Sequence, residues 1–186
     1  MAAPFKIHSE NDAPEASKAL LKMAQQNMGM LPNLERVMAG APTLLQAYVT
    51  LWELFDHASL SPIERQIVYQ AANIENHCQY CVPWHTQLSI DAGMDEDDIN
   101  ALRNNAALST TKYAALHRFA QQLIQNNGHV SEEELDAFLE VGYAEQQAME
   151  VILGLAIKLM SNYTNAIAKT PLDEEVMRHA WDKPLK

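Results

Sequence analysis

Apolar residues recur every three or four positions along almost the whole of this 186-residue chain, and no segment sustains the period-two alternation of a half-buried strand. That periodicity leaves packed helices as the available architecture, so the fold class it predicts is all-α. Punctuation residues divide the pattern. A first helix opens at Pro14, turns Leu20, Leu21, Met23 and Ala24 inward and stops near Gly29 and Pro32, and Asn33 caps a short turn through Val37. Pro42 suits the first turn of a second long helix carrying Leu45, Val49, Trp52 and Phe55. Ser61-Pro62-Ile63-Glu64 reads as a capping box opening a helix to about Asn76.

The next helix is predicted over Cys78 to Ala92, ended by Gly93, and Asp95 caps another over Glu96 to Arg103, the acidic run Asp95 to Asp98 being its cap and solvated first turn. Thr110 or Thr111 opens a helix to about Gln125. Asn126-Asn127-Gly128 breaks the chain, and Ser131 with Glu134 makes a second capping box for a helix that Gly142 ends. The run Glu145 to about Ala168 is apolar around much of its circumference, the mark of a central helix or one shared with another subunit. Pro171 stops it, and a last helix is expected over Asp173 to Trp181. No repeat, low-complexity segment or linker divides the chain, so residues 1–186 read as one domain.

Charge narrows the partners. Twenty-four acidic residues against 13 basic ones give a net charge of -11, the wrong sign for neutralising phosphates, so nucleic acid is excluded as an expected partner. Met1 to Glu10 lacks the pattern of a secretory signal, and no stretch reads as a membrane span of about 20 apolar residues. The expected location is the cytoplasm.

The chain has two cysteines, three positions apart, in Cys78-Gln79-Tyr80-Cys81. Such a pair cannot staple distant loops, but it can close a disulfide over a very short loop at a helix start, where unpaired N–H groups favour a thiolate. His85 follows Cys81 by one helical turn and sits on the same face, placed to accept a thiol proton. Helix-dipole logic alone favours Cys78 as the attacking thiol, whereas the proximity of His85 favours Cys81. The assignment adopted is Cys81 attacking, Cys78 resolving and His85 carrying the proton. A rival reading takes His77, Cys78, Cys81 and His85 as zinc ligands, although structural sites usually draw their two ligand pairs from separate segments; no metal and no cofactor are expected. His57, His117, His129 and His179 have no identifiable partner, and Tyr80 and Trp84 read either as substrate-facing or as packing.

The residues Ser61 to Val68, Asn76-His77-Cys78-Gln79-Tyr80-Cys81, His85 and Ala92-Gly93 resemble the AhpD-like alkylhydroperoxidases of the carboxymuconolactone decarboxylase superfamily, and the similarity runs on through Asn162-Tyr163-Thr164-Asn165 to Thr170-Pro171-Leu172-Asp173. The resemblance implies an AhpD-like multi-helix fold with the cysteine pair at a helix start, assembled as a homo-oligomer of three or six subunits. It implies reduction of a hydroperoxide or a partner's disulfide, with a thiol reductant or lipoyl-type partner restoring the dithiol. It also implies that the second cysteine attacks, which supports Cys81. Two positions depart from the family. Its proton-relay glutamate falls on Gln66, which cannot carry a proton as a carboxylate does, so weak peroxidase activity is expected. The histidine within the pair is replaced by Tyr80. Gln66, Glu75 and Tyr80 are the candidate relay positions, Glu75 because it stands three residues before Cys78. Non-catalytic redox sensing through assembly, and decarboxylation of a lactone acid, are the other functions weighed; the second has no use for two thiols.

Overall fold

A computed structural model describes residues 5–182, so the first four residues of the Met1 to Glu10 segment and the last four of the chain lie outside the described residues. Among the described residues nine α-helices follow one another: α1 (Glu15–Met28), α2 (Asn33–Met38), α3 (Pro42–Asp56), α4 (Pro62–Glu75), α5 (Cys81–Asp91), α6 (Glu96–Arg103), α7 (Thr111–Gln125), α8 (Glu132–Glu140) and α9 (Glu145–Ala168). A 3-10 segment over Glu174–His179 comes last. Among the described residues there is no strand, and the all-α class holds.

The caps fall where side chains can satisfy the first N–H groups. Ser61 accepts from the Glu64 N–H while the Glu64 carboxylate accepts from the Ser61 N–H, so the capping box forms in full. Asp95, Thr110 and Ser131 cap α6, α7 and α8 in the same way from one side. Two predicted ends move. Pro14 is the residue before α1 rather than its first turn, and Asn33 lies inside α2, behind Pro32.

Helix α4 runs through the middle, against α5, α6, α7 and α9. Nine of its residues are buried, including Ile67, Val68 and Tyr69. Helix α9 crosses both α3 and α4. Gly154 permits this approach, since a Cβ there would stand 2.7 Å from Phe55 Cζ and 2.9 Å from Val68 Cγ1. From that contact point the same face of α9 continues through Lys158, Asn162 and Asn165 at spacings of four, four and three, all buried. The opposite face exposes Met149, Ile152, Leu159, Tyr163 and Ile167.

Helix α9 corrects the expectation about membrane spans: by length and composition it is apolar enough to cross a membrane. Half of its most apolar window is buried inside the protein, and its inward face carries a lysine and two asparagines, so it packs as a core helix does. The predicted last helix is the shorter 3-10 segment, because Asp173 is turned inward and its backbone is extended.

Candidate active site

The cysteine pair straddles a helix start, and its shape is set by the end of α4. His77 takes a left-handed conformation (φ 55°), its N–H bonds to the Ile74 carbonyl, and the Cys78 N–H bonds to the Asn73 carbonyl. This is the Schellman arrangement built on a residue other than glycine. It throws Cys78 out of α4 without continuing the helix, so the predicted helix over Cys78 to Ala92 in fact begins at Cys81. The Cys78 carbonyl accepts from the Cys81 and Val82 N–H groups, and the Cys78 sulfur accepts from the Cys81 N–H at 3.2 Å. Both thiols are free and buried.

Helix α9 supplies the rest of the sulfur environment. The Asn162 and Asn165 amides donate to Cys81 Sγ at 3.1 and 3.2 Å. The Asn162 carbonyl oxygen is taken by the Asn76 amide, which orients the Asn162 NH2 toward the sulfur. Burial alone would raise the Cys81 pKa; the hydrogen bond from Cys78, the charge of Lys158 and the two amides outweigh it and hold Cys81 below the ordinary thiol range. Donating to Cys81, together with burial, raises Cys78 above that range. The electrostatics therefore oppose the dipole argument for Cys78 and make Cys81 the thiolate of the pair.

His85 is buried and its ring nitrogens bond to two side chains rather than to a thiol. Nδ1 lies 2.8 Å from Gln66 Oε1 and Nε2 lies 2.9 Å from Lys158 Nζ. An ammonium can only donate and an amide oxygen can only accept, so Nε2 is the acceptor and Nδ1 carries the hydrogen. Burial and the Lys158 charge both depress the imidazole pKa far below its ordinary value, which keeps this neutral tautomer. Gln66 thus has a role a surface glutamine would lack: its neutral carbonyl oxygen fixes the tautomer without favouring an imidazolium. Cys81 and His85 stand one turn apart on α5, and Lys158 bonds to the imidazole while its charge bears on the sulfur.

The remaining candidates are placed elsewhere. The Tyr80 hydroxyl accepts from the Leu34 N–H and donates to Asp173 Oδ2 at 2.5 Å, and Trp84 Nε1 donates to the same oxygen at 2.9 Å. Asp173 also accepts from the Asn33 N–H. Tyr80 therefore belongs to a clamp that joins α2, the cysteine turn and the segment after α9. The Glu75 carboxylate accepts from Gln121 on α7. His77, Cys78, Cys81 and His85 do not converge as a ligand set, since His85 is committed to Gln66 and Lys158 and His77 Nδ1 bonds to the Ile74 carbonyl. Among the described residues no cluster of three or more metal-ligating side chains occurs.

Cys81 lines a half-open cavity of about 690 Å3 between α1, α2, α3, α5 and α9. Tyr48, Trp52 and Trp84 give it an aromatic lining, and Lys158, His85 and Glu35 bring polar groups. Trp52 stacks on Tyr69 with ring centroids 5.0 Å apart, and Tyr69 meets His85 at 4.8 Å, so the imidazole is held by packing as well as by hydrogen bonds. Lys158, Asn162, Asn165 and Glu35 were not singled out in the sequence for roles at the thiols. The available signal was Lys158 itself, the only charged residue between Val151 and Ala168.

Residues 42–122 match the model of the carboxymuconolactone decarboxylase family, the superfamily the cysteine motif resembles. No curated protein gives a significant match. Among solved structures, the chain is similar to an uncharacterized peroxidase-related protein with an alkylhydroperoxidase AhpD core from Ralstonia eutropha JMP134, at TM-score 0.82 and 19% identity, covering 94% of this chain and 96% of that one. A peroxidase-related protein from Silicibacter sp. TM1040 matches at TM-score 0.78 and 16% identity over 95% of each chain. The debrominase Bmp8, in complex with 2,3,4-tribromopyrrole, matches at TM-score 0.77 and 19% identity over 94% of each chain. These likenesses establish the AhpD-like fold.

Proposed function

We propose that the chain is a thiol-dependent antioxidant enzyme in which the Cys78-Cys81 dithiol reduces an organic hydroperoxide or a partner's disulfide. The observation that carries this reading is the asymmetry of the pair: Cys81 is held as a thiolate by Asn162, Asn165 and Lys158 and faces a ligand-sized cavity, with a protonated Cys78 beside it to resolve the oxidised sulfur. The cycle leaves Cys81 oxidised, forms the internal disulfide, and ends when an external dithiol, such as a lipoyl group or small thiol protein, restores both thiols. On this reading residues 1–186 act as one domain in the reducing cytoplasm. The exposed apolar face of α9 is assigned to contact with further copies of the chain in a trimer or hexamer.

Cys81→Ser and Cys78→Ser separate the roles. With a dithiol reductant, Cys81→Ser abolishes peroxide consumption and disulfide exchange. Without reductant, Cys78→Ser gives a single stoichiometric burst that ends at a Cys81 sulfenic acid, seen as one added oxygen by intact mass. Peroxide turnover and disulfide exchange both unaffected in Cys81→Ser would overturn the proposal.

The aromatic lining and the likeness to a debrominase favour one second reading, reductive removal of halide from a halogenated aromatic ring at the expense of the two thiols. Bromide release from a bromopyrrole, coupled one-to-one to disulfide formation, distinguishes it from peroxide reduction.

A further inference from the structure

Opening an O–O bond with a thiolate leaves an alkoxide, and the groups nearest Cys81 are poorly suited to protonate it. The His85 hydrogen is on Nδ1, committed to Gln66, while its Nε2 is an acceptor. Lys158 already donates to His85, and giving up a proton would remove the charge that favours the thiolate. Gln66 has no proton to give. Tyr80 is committed to Asp173.

Glu35 meets the requirement. It lies on α2, is 8% exposed, and lines the same cavity as Cys81. Its Oε2 is buried without a hydrogen-bond partner. A carboxylate left so would be costly, whereas a carboxylic acid there carries an unspent donor on a residue that lines the space a substrate occupies. Its position is fixed from behind, because the preceding N–H groups of Asn33 and Leu34 are held by Asp173 and the Tyr80 hydroxyl. We infer that Glu35 is the general acid of this site, delivering its proton to the oxygen that leaves when Cys81 attacks a hydroperoxide. The inference rests on the peroxidase reading above.

The step balances as follows. The Cys81 thiolate attacks the distal oxygen of ROOH, so an S–O bond forms, the O–O bond breaks, sulfur is oxidised and the peroxide is reduced. The electron pair of the broken bond leaves on RO–, which takes the Glu35 proton and departs as ROH. Cys78 then attacks the sulfenic acid; an S–S bond forms, and the hydroxyl leaves as water with the Cys78 proton. When an external dithiol reduces the disulfide, the proton released by Cys81 restores Glu35.

The groups facing Glu35 bear on when it holds its proton. Tyr48 reaches it from α3, Tyr80 and Cys81 from the start of α5, Lys158 from α9 and Asp173 from the segment beyond, while Glu53, Asp56 and His57 line the cavity farther along α3. Helix α1 gives the cavity no ionisable group. Burial first, then the negative charge of Asp173, pushes the Glu35 carboxyl up to about 7, with a hydrogen bond from its own backbone N–H and then the Lys158 charge opposing. Activity that needs this acid therefore falls as pH rises through that value.

The test compares kcat/KM for tert-butyl hydroperoxide and peracetic acid in wild type and Glu35→Gln from about pH 5 to 7.5, with a dithiol reductant. A peracid leaves as a carboxylate of pKa about 4 and needs no general acid, whereas an alkoxide does. The expected result is a loss of about 100-fold or more in Glu35→Gln on the alkyl hydroperoxide, with peracid turnover within about twofold of wild type. Wild type loses alkyl hydroperoxide turnover toward the basic end and keeps peracid turnover. Equal losses on both substrates, or none, overturn the role of Glu35. Should Glu35→Gln not fold, the wild-type comparison decides, and the same basic limb on both substrates overturns the role. A wild type inert toward both peroxides refutes the peroxidase reading itself, and the role of Glu35 with it.

Discussion

Replacing Lys158 by methionine tests whether the buried ammonium, rather than the imidazole, makes Cys81 reactive. Lys158 and Cys81 are 1% and 2% exposed, so solvent ions screen their attraction little. An opposite charge at close range lowers a pKa by about 1 to 3, or about 1.4 to 4 kcal/mol in favour of the ionised form. Removing the cation should therefore raise the midpoint of Cys81 alkylation by about 1 to 3 on the pH scale. Below both midpoints, the rate of reaction with iodoacetamide should fall roughly 10- to 1000-fold. At a pH where both proteins are ionised, the rates should converge. Removing one partner of a buried charge pair costs about 3 to 5 kcal/mol, so a urea titration separates lost reactivity from lost fold. The same exchange removes the charge that helps depress His85, whose imidazole should then titrate at higher pH by NMR. An unchanged alkylation midpoint in the folded variant would refute the argument and return the activation of Cys81 to its hydrogen bonds alone.

Two further outcomes follow from buried groups away from the thiols. Asp173→Asn loses the charge behind its bonds to Tyr80, Trp84 and Asn33 and should cost about 2 to 4 kcal/mol in urea unfolding; a cost under about 0.5 kcal/mol would show that the clamp is idle. His117 is buried with Nε2 unpartnered, and burial lowers its pKa to about 4, only partly opposed by Glu75. The unfolded chain then takes up a proton below about 6.5 that the folded chain refuses. Stability is therefore fully present above that pH, and about 3 kcal/mol is lost as pH falls toward 4. His117→Leu should remove this slope between the two pH values, and an identical slope in both proteins would count against it.

Local signals were legible in the sequence wherever one or two turns of chain decide the outcome. The Ser61 capping box, the caps at Asp95 and Ser131, and the break at Asn126-Asn127-Gly128 need only neighbouring backbone. The start of α5 was misplaced because His77 occupies a left-handed position that usually signals itself by glycine. The pair was legible from its spacing and Cys81 was assigned as the attacking thiol from the nearness of His85, but the α9 side chains that favour its ionisation were not legible. Asn162 and Asn165 reach Cys81 across more than 80 residues of sequence, through a helix crossing set by Gly154. Asn162 to Asn165 entered only as part of a resemblance, without a role at the sulfur. Glu35 sits in a six-residue helix that the sequence showed only as a short turn; it is buried because α1, α3 and α9 all pack against that helix.

The Asp173 clamp also sets the order of events at birth. Its carboxylate joins residues from three stretches of chain, and 93 positions separate Tyr80 from the group its hydroxyl binds. At about 5 to 20 residues per second, a ribosome needs roughly 5 to 19 seconds to make that interval. Throughout it the dithiol has emerged or is emerging, while α9 and the anchor that seats the cysteine turn do not yet exist. The nascent chain thus meets the oxidants of its surroundings with unshielded thiols, and the two sulfurs acquire their separate characters only once α9 and the segment that carries Asp173 have been delivered.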